Sequence, residues 1–249
     1  MEINIIIAGE AGQGAFSVEM ELTDTLSRLN YHVFATKNYM SRIRGGHNFH
    51  MIRIADHPVH ALSGDKWDMV VALDAATEAR HRPNLREGGI YLSRETTREI
   101  GEAAREAFGS VTAGNSVLVG VILAVIGVAV EQAEAAAEAG KAPYLRKGFA
   151  VAAQRNLTAA VPVAAKAGAH RKFDGNQALA LGAVLGGCQF VAGYPMTPAT
   201  SILDYVVTLA QGLPIHFEQA EDEIAALNMV LGASYAGLRA MAATSGGGF

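Results

Sequence analysis

The 249 residues predict an α/β protein: a mostly parallel sheet with helices on both faces, then the start of a second α/β unit. Three observations carry this. Short β-branched runs alternate with helix-forming stretches over the first ~160 residues, the signature of strand–helix–strand units. The first of these runs passes through a glycine turn directly into a helical pattern. Beyond an alanine-rich stretch, the order of strand, turn and helix resumes at Gln189.

Ile3 to Ala8 is continuously apolar, as expected of a strand buried on both faces. Gly9-Glu10-Ala11-Gly12-Gln13-Gly14 follows, and an amphipathic helix runs from there to about Leu29. A glycine turn from strand to helix presents free N–H groups to an anion. Its G-x-x-G-x-G spacing differs from the dinucleotide fingerprint G-x-G-x-x-G. The next strand, His32 to Ala35, ends in Thr36-Lys37-Asn38, where a ribose-binding strand would carry an acid, so NAD is disfavoured.

In Ser41-Arg42-Ile43-Arg44-Gly45-Gly46-His47, two guanidinium groups beside a glycine pair suit phosphate oxygens. An exposed basic loop fits the same residues equally well. Phe49 to Ile54 alternates as a strand. Met69 to Leu73 is a further buried strand ending in Asp74, which reads as an N-cap or as a ligand contact, with the cap preferred. Ile90 to Leu92 is a short strand, and Asn115-Ser116 reads as a cap before a buried helix, Val117 to Val130. Helices over Glu131 to Ala139 and Tyr144 to Ala159 complete this part, and Val161 to Lys172 reads as a linker.

Composition narrows the function classes. A net charge of −4 with half the residues hydrophobic argues against nucleic acid as a partner. Cys188 is the single cysteine, which excludes a disulfide framework within the chain, or an iron–sulfur cluster held by it alone, since a cluster takes about four thiolates. The same residue, with no secretory leader, fits the cytoplasm. The apolar run Val117 to Val130 is shorter than the about 20 residues of a bilayer span, so no membrane association is expected. The eight histidines form no H-E-x-x-H and have no cysteine at ligand spacing, and no metal site is expected.

The last third carries the strongest motifs. Gly193-Tyr194-Pro195-Met196-Thr197-Pro198-Ala199-Thr200 lies between a strand, Gln189 to Ala192, and a helix, Ser201 to Ala210. Two prolines bracket Thr197 and fix the backbone there. Glu221-Asp222-Glu223 opens a small-residue helix that closes on Gly237. A strand, Ala240 to Thr244, then runs into Ser245 and three glycines. The acids suit a helix N-terminus electrostatically, and one of them is also placed to serve a cofactor ring.

Together, G-N-Q-A-L-A-L-G-A, G-Y-P-M-T-P-A-T, E-D-E-I-A-A-L-N-M-V-L-G-A-S-Y-A-G and A-T-S-G-G-G-F resemble the start of the alpha subunit of 2-oxoacid:ferredoxin oxidoreductases. G-E-A-G-Q-G-A and S-R-I-R-G-G-H resemble the gamma domain of the same enzymes, which some members fuse ahead of the alpha subunit. The resemblance implies a Rossmann-like gamma-type domain over 1–163, a linker over 164–174 and a partial thiamine-diphosphate pyrimidine-binding domain over 175–249.

It further implies CoA-dependent oxidative decarboxylation of a 2-oxoacid of the pyruvate or 2-oxoglutarate class, with electrons passed to ferredoxin. Thiamine diphosphate would be shared with a beta subunit in a hetero-oligomer, with coenzyme A as cosubstrate and Mg²⁺ and 4Fe-4S clusters on partner chains. Glu223 matches the glutamate that hydrogen-bonds the aminopyrimidine ring, because Glu223, Ala226 and Gly232 fit the family spacing; Glu221 is the alternative. Ile224, Leu227 and Met229 are expected to bury that carboxyl. Thr197 matches the threonine that binds the substrate carboxylate, with Tyr194 and Pro195 shaping the pocket. Thr244, Ser245 and Gly246 would approach the cofactor, and Gly12, Gly14, Arg42 and Arg44 would contact an anion or CoA.

The chain departs from the family's S-G-P-G-F in having Ser245-Gly246-Gly247-Gly248-Phe249, and its end there implies a fragment or split subunit, silent alone. Two other readings stay open: a non-catalytic nucleotide-binding module built on the N-terminal sheet, and a purely structural subunit.

Overall fold

The computed structural model describes every residue except 1, 11, 39–45, 63, 65, 111, 158–171, 197 and 249. Arg42, Arg44, Thr197 and most of the expected linker therefore lie outside the described residues. The rest form two compact units, Met1–Lys172 and Phe173–Phe249.

The first unit is built on β1 (Glu2–Gly9), β2 (His32–Asn38), β3 (Asn48–Ala55), β4 (Trp67–Ala72) and β5 (Leu85–Leu92) in the order β2-β3-β1-β4-β5. β1, β4 and β5 run parallel. β3 is antiparallel to both β1 and β2, so β2 points with β1 and four of the five strands share one direction. α1 (Ala15–Arg28) joins β1 to β2 and α2 (Ala75–His81) lies between β4 and β5, whereas α3 (Arg94–Phe108), α4 (Ala113–Val125), α5 (Val130–Ala136) and α6 (Ala142–Gln154) follow β5 in succession, so strands and helices do not alternate over the whole of this part as the sequence suggests.

Alternation along β1 divides the core. Ile3, Ile5 and Ile7 pack with Ile52, Ile54, Met69 and Val71 beneath α1, α3 and α4. Ile6 turns to the other face with Trp67, Val70, Phe49 and Met51. There the His81 ring of α2 packs on Phe49 at 5.2 Å. Each fully buried aliphatic side chain contributes roughly 1.5–3 kcal/mol of transfer free energy. Helices therefore cover both faces, with the larger layer on one.

Two sequence expectations need correction here. The apolar run Val117 to Val130 is not one helix: α4 ends at Val125. Gly127 (φ 85°) turns the chain, its N–H donating to the Ala124 carbonyl and that of Val128 to the Leu123 carbonyl, before α5 starts. Nor do Asn115 and Ser116 cap α4. The helix begins at Ala113, and Ser116 lies fully buried, donating from Oγ to Glu21 Oε2 at 2.7 Å. Asp74 does cap α2, with Oδ1 accepting from Thr77 N at 2.8 Å.

α4 and α6 pack backbone to backbone. A Cβ on Gly148 would collide with the Val117 carbonyl, and one on Gly120 with the Leu145 carbonyl.

The second unit holds α7 (Gly175–Leu185), β6 (Phe190–Gly193), α8 (Thr200–Ala210), β7 (His216–Gln219), α9 (Glu223–Tyr235) and β8 (Ala240–Ala242). Its sheet, β7-β6-β8, is entirely parallel. α7 and α8 cover one face through Ala180, Leu203 and Val206, and α9 the other through Ala226. Among the described residues, no single helix is long and apolar enough to cross a membrane.

Candidate functional site

In a parallel sheet, ligands gather beyond the carboxyl ends of the strands. In the second unit that edge carries three segments: Tyr194–Ala199 after β6, Ala220–Asp222 after β7 and Ala243–Gly248 after β8. They are tied together. Ala220 N donates to the Gly193 carbonyl at 3.1 Å, and Ser245 Oγ donates to the Met196 carbonyl at 3.1 Å.

Glu223 opens α9, behind an N-cap in which Asp222 Oδ1 accepts from Ala225 N at 2.7 Å. Glu221, the alternative carboxylate, is exposed. Glu223 is half-buried, and its Oε1 is fully buried with no hydrogen-bond partner. Such an oxygen costs free energy unless something supplies a donor or a proton. Its cover differs from the sequence expectation. Ile224, Leu227 and Met229 are 76, 54 and 37% exposed, so they do not bury it. The reason is helical spacing: α9 turns Ala226 to the sheet, and Ile224 and Leu227 fall on the outer side. The glycine loop covers Glu223 instead, because a Cβ on Gly248 would collide with both Glu223 and Thr244 Oγ1.

Glu223, Thr244, Ser245 and Gly246 are thus brought to one edge, with Met196 beside them: a Cβ on Gly246 (φ 59°) would lie 3.8 Å from Met196 Sδ. Tyr194 is half-buried and Pro195 exposed on the loop after β6. Asn176, given no role from sequence, joins the same loop, with Nδ2 donating to the Pro198 carbonyl at 2.8 Å. The signal was its place in the G-N-Q motif at a helix start, one residue ahead of the Gln177 that closes the capping box with Asp174.

In the first unit the corresponding edge is the switch point between β1 and β4, from which the chain winds in opposite directions. Gly12 (φ 90°) and Gly14 (φ 92°) shape the loop after β1 in a region open to glycine. Gly14 begins α1 with no side-chain cap and no acid in the first turn, leaving N–H groups of the kind that hold anions. The Asn115 side chain packs against Gly14, where a Cβ would come within 2.7 Å of its Nδ2.

At the same edge the His47 and His81 rings stack, with Nε2 to Nε2 at 2.7 Å, a spacing that takes one proton between them. Burial pushes His81 down to about 4, helped by His47 and Arg80 and opposed by Asp74. Burial likewise lowers His47. Because the folded pKa lies below the unfolded value of about 6.5, the unfolded chain takes up the proton first as pH falls. The stability is whole above pH 6.5 and is lost between there and pH 4. Discounted for a half-exposed ring, the loss should be about 1–2 kcal/mol. Denaturant midpoints measured across this window should fall in the wild type and flatten in His81→Gln; equal slopes would refute the assignment.

Comparison with known proteins adds to this geometry. Residues 4–161 match the family described as pyruvate ferredoxin/flavodoxin oxidoreductase, and residues 181–249 match "Pyruvate flavodoxin/ferredoxin oxidoreductase, thiamine diP-bdg". The 2-oxoacid:ferredoxin oxidoreductase subunit alpha of Sulfolobus sp is 25% identical over an alignment of 321 residues, covering 100% of this chain and 51% of that one. The 2-oxoglutarate synthase subunit KorA of Methanothermobacter marburgensis is 51% identical over 77 residues, 31% of this chain and 20% of its own. The structure of 2-oxoglutarate:ferredoxin oxidoreductase from Magnetococcus marinus with 2-oxoglutarate, coenzyme A and succinyl-CoA bound superposes with a TM-score of 0.79 at 25% identity, covering 99% of this chain and 48% of that one. The chain thus spans about half the length of the Sulfolobus relative, which it matches throughout.

Proposed function

This chain belongs to the pyruvate ferredoxin/flavodoxin oxidoreductase family, and from that premise we propose that it is the alpha-side component of a 2-oxoacid:ferredoxin oxidoreductase. In this reading the complex oxidatively decarboxylates a 2-oxoacid of the pyruvate or 2-oxoglutarate class, transfers the acyl group to coenzyme A and passes electrons to ferredoxin. The observation that carries it is the buried, unpartnered Oε1 of Glu223 at the carboxyl edge of a parallel sheet, under a glycine loop in which a Cβ on Gly248 would collide with Glu223 itself. A carboxyl in that setting fits the aminopyrimidine ring of thiamine diphosphate. When bound, that cofactor supplies the carbon nucleophile and electron sink that let a 2-oxoacid lose CO₂.

The roles of this chain's own residues follow. Glu223 meets a ring nitrogen through its buried Oε1. Thr244, Ser245 and Gly246 let the ring approach their backbone closely. Thr197 binds the substrate carboxylate, and Tyr194 and Pro195 shape its pocket. Gly12 and Gly14, with Arg42 and Arg44, receive anionic groups such as those of coenzyme A. A beta subunit in a hetero-oligomer of the cytoplasm supplies the Mg²⁺ site and the 4Fe-4S clusters, and the chain alone is inactive.

Co-expression with the thiamine-binding beta subunit should yield coenzyme-A-dependent reduction of a viologen dye by pyruvate or 2-oxoglutarate, and none from this chain alone. A complex that assembles yet stays silent toward a panel of 2-oxoacids would sink the reading.

A further inference from the structure

We propose that Asn176 and Ser245 are positioning residues that clamp the loop between β6 and α8 from two sides; this rests on the oxidoreductase reading of that loop. The two carbonyls that flank position 197 are each taken by a side chain from a different element. Ser245 Oγ, beyond β8, donates to the Met196 carbonyl at 3.1 Å. Asn176 Nδ2, in the first turn of α7, donates to the Pro198 carbonyl at 2.8 Å and lies 2.6 Å from Ser201 Oγ.

The need for such a clamp is written in the loop. Pro195 and Pro198 have no N–H, so the segment cannot hold itself through backbone donors at those positions. The Met196 carbonyl also accepts from Ala199 N at 2.9 Å and Thr200 N at 3.3 Å, so it closes the turn into α8. Fixing that one carbonyl fixes where α8 begins.

Both clamping residues are themselves placed firmly. Asn176 sits inside the capping box of α7, in which Gln177 N donates to Asp174 Oδ1 at 2.7 Å and Gln177 Oε1 accepts from Asp174 N at 3.1 Å. Ser245 lies two residues after Ala243, which is buried just beyond β8. Thr197 stands between the two clamped carbonyls in the chain. In the oxidoreductase reading, loosening either bond frees the backbone on one side of that position and is felt first in binding of the 2-oxoacid.

The test uses the co-expressed complex and four variants: Asn176→Ala, Asn176→Asp, Ser245→Ala and Ser245→Thr. Asp keeps the shape of Asn but cannot donate, and Thr keeps the hydroxyl of Ser. Asn176→Ala, Asn176→Asp and Ser245→Ala should each raise KM for the 2-oxoacid about ten-fold, as expected for one lost hydrogen bond, with KM moving more than kcat. Ser245→Thr should bring KM back, and in the Asn176 variants half-saturation by thiamine diphosphate should stay within about two-fold. An active wild type whose KM is unmoved in Asn176→Asp and Ser245→Ala overturns the clamp and leaves the oxidoreductase reading standing. Loss of kcat and thiamine binding together in the Asn176 variants overturns it as general damage. A silent wild type sinks the oxidoreductase reading instead. Hydrogen exchange at the amides of 199–203 in this chain then decides the clamp: faster exchange in Asn176→Asp and Ser245→Ala supports it, and unchanged exchange overturns it.

Discussion

Glu223→Gln in the reconstituted complex is expected to lower 2-oxoacid oxidation by about 100-fold or more, the range for loss of a proton-handling side chain. Glutamine matches glutamate in shape and can still hydrogen-bond, so packing under the glycine loop should survive. What it loses is a carboxyl able to take up and release a proton at Oε1, the atom that lies buried without a partner. Steady-state kinetics with saturating thiamine diphosphate would show a fall in kcat with little change in KM for the 2-oxoacid. Subunit assembly, followed by gel filtration, should be unchanged. A variant that keeps wild-type kcat would remove Glu223 from the chemistry. Glu221→Gln, which alters an exposed carboxylate, is the matched control and should be nearly silent.

Gly148→Ala should destabilise the first unit by about 3 kcal/mol, at the upper end for overpacking, because the obstruction is backbone. The added methyl would meet the Val117 carbonyl and the Val121 nitrogen of α4, and neither can rotate away as a side chain would. Gly120→Ala meets the Leu145 carbonyl and should behave alike. Gly101→Ala on α3 meets nothing within 4 Å and should be neutral or stabilising, by up to about 1 kcal/mol from helix propensity alone. Urea denaturation of the three variants would settle it: similar midpoints for Gly148→Ala and Gly101→Ala would contradict the close approach of α4 and α6.

These cases show what is legible in the sequence. The buried strands β1 and β4, the glycine turn after β1 and the Asp74 cap are local patterns, and local patterns carry them; the strict alternation of strand and helix does not hold, because β2, β3 and β4 follow one another and four helices succeed β5. Glycine at 120 and 148 reads as a weak helix residue until two distant helices are seen to touch there. The strand His216–Gln219 leaves little trace in the sequence, because H-F-E-Q at a sheet edge has only Phe217 turned inward. At the site, motif order points to Glu223 but not to the means of its burial. The apolar side chains beside it in the chain lie on the far side of α9, and its cover comes from a loop more than twenty residues on. Asn176 was visible only as a letter in a motif, since its partner, the Pro198 carbonyl, is specified by no side chain.

The single reversed strand has a consequence for how the first unit assembles. β1 and β2 both pair with β3 and not with each other. A nascent chain that has made β1, α1 and β2 therefore holds two strands with no ladder between them. The register only closes when the segment through Ala55 inserts into the gap. The β1–α1–β2 stretch is thus a poor folding nucleus by itself: the apolar contacts of α1 with the strands can form, but ordering the strands early gains no ladder between them until β3 arrives. Ribosome-bound chains ending before Asn48 should stay protease-sensitive, and protection of β1 should appear only after β3 has cleared the exit tunnel.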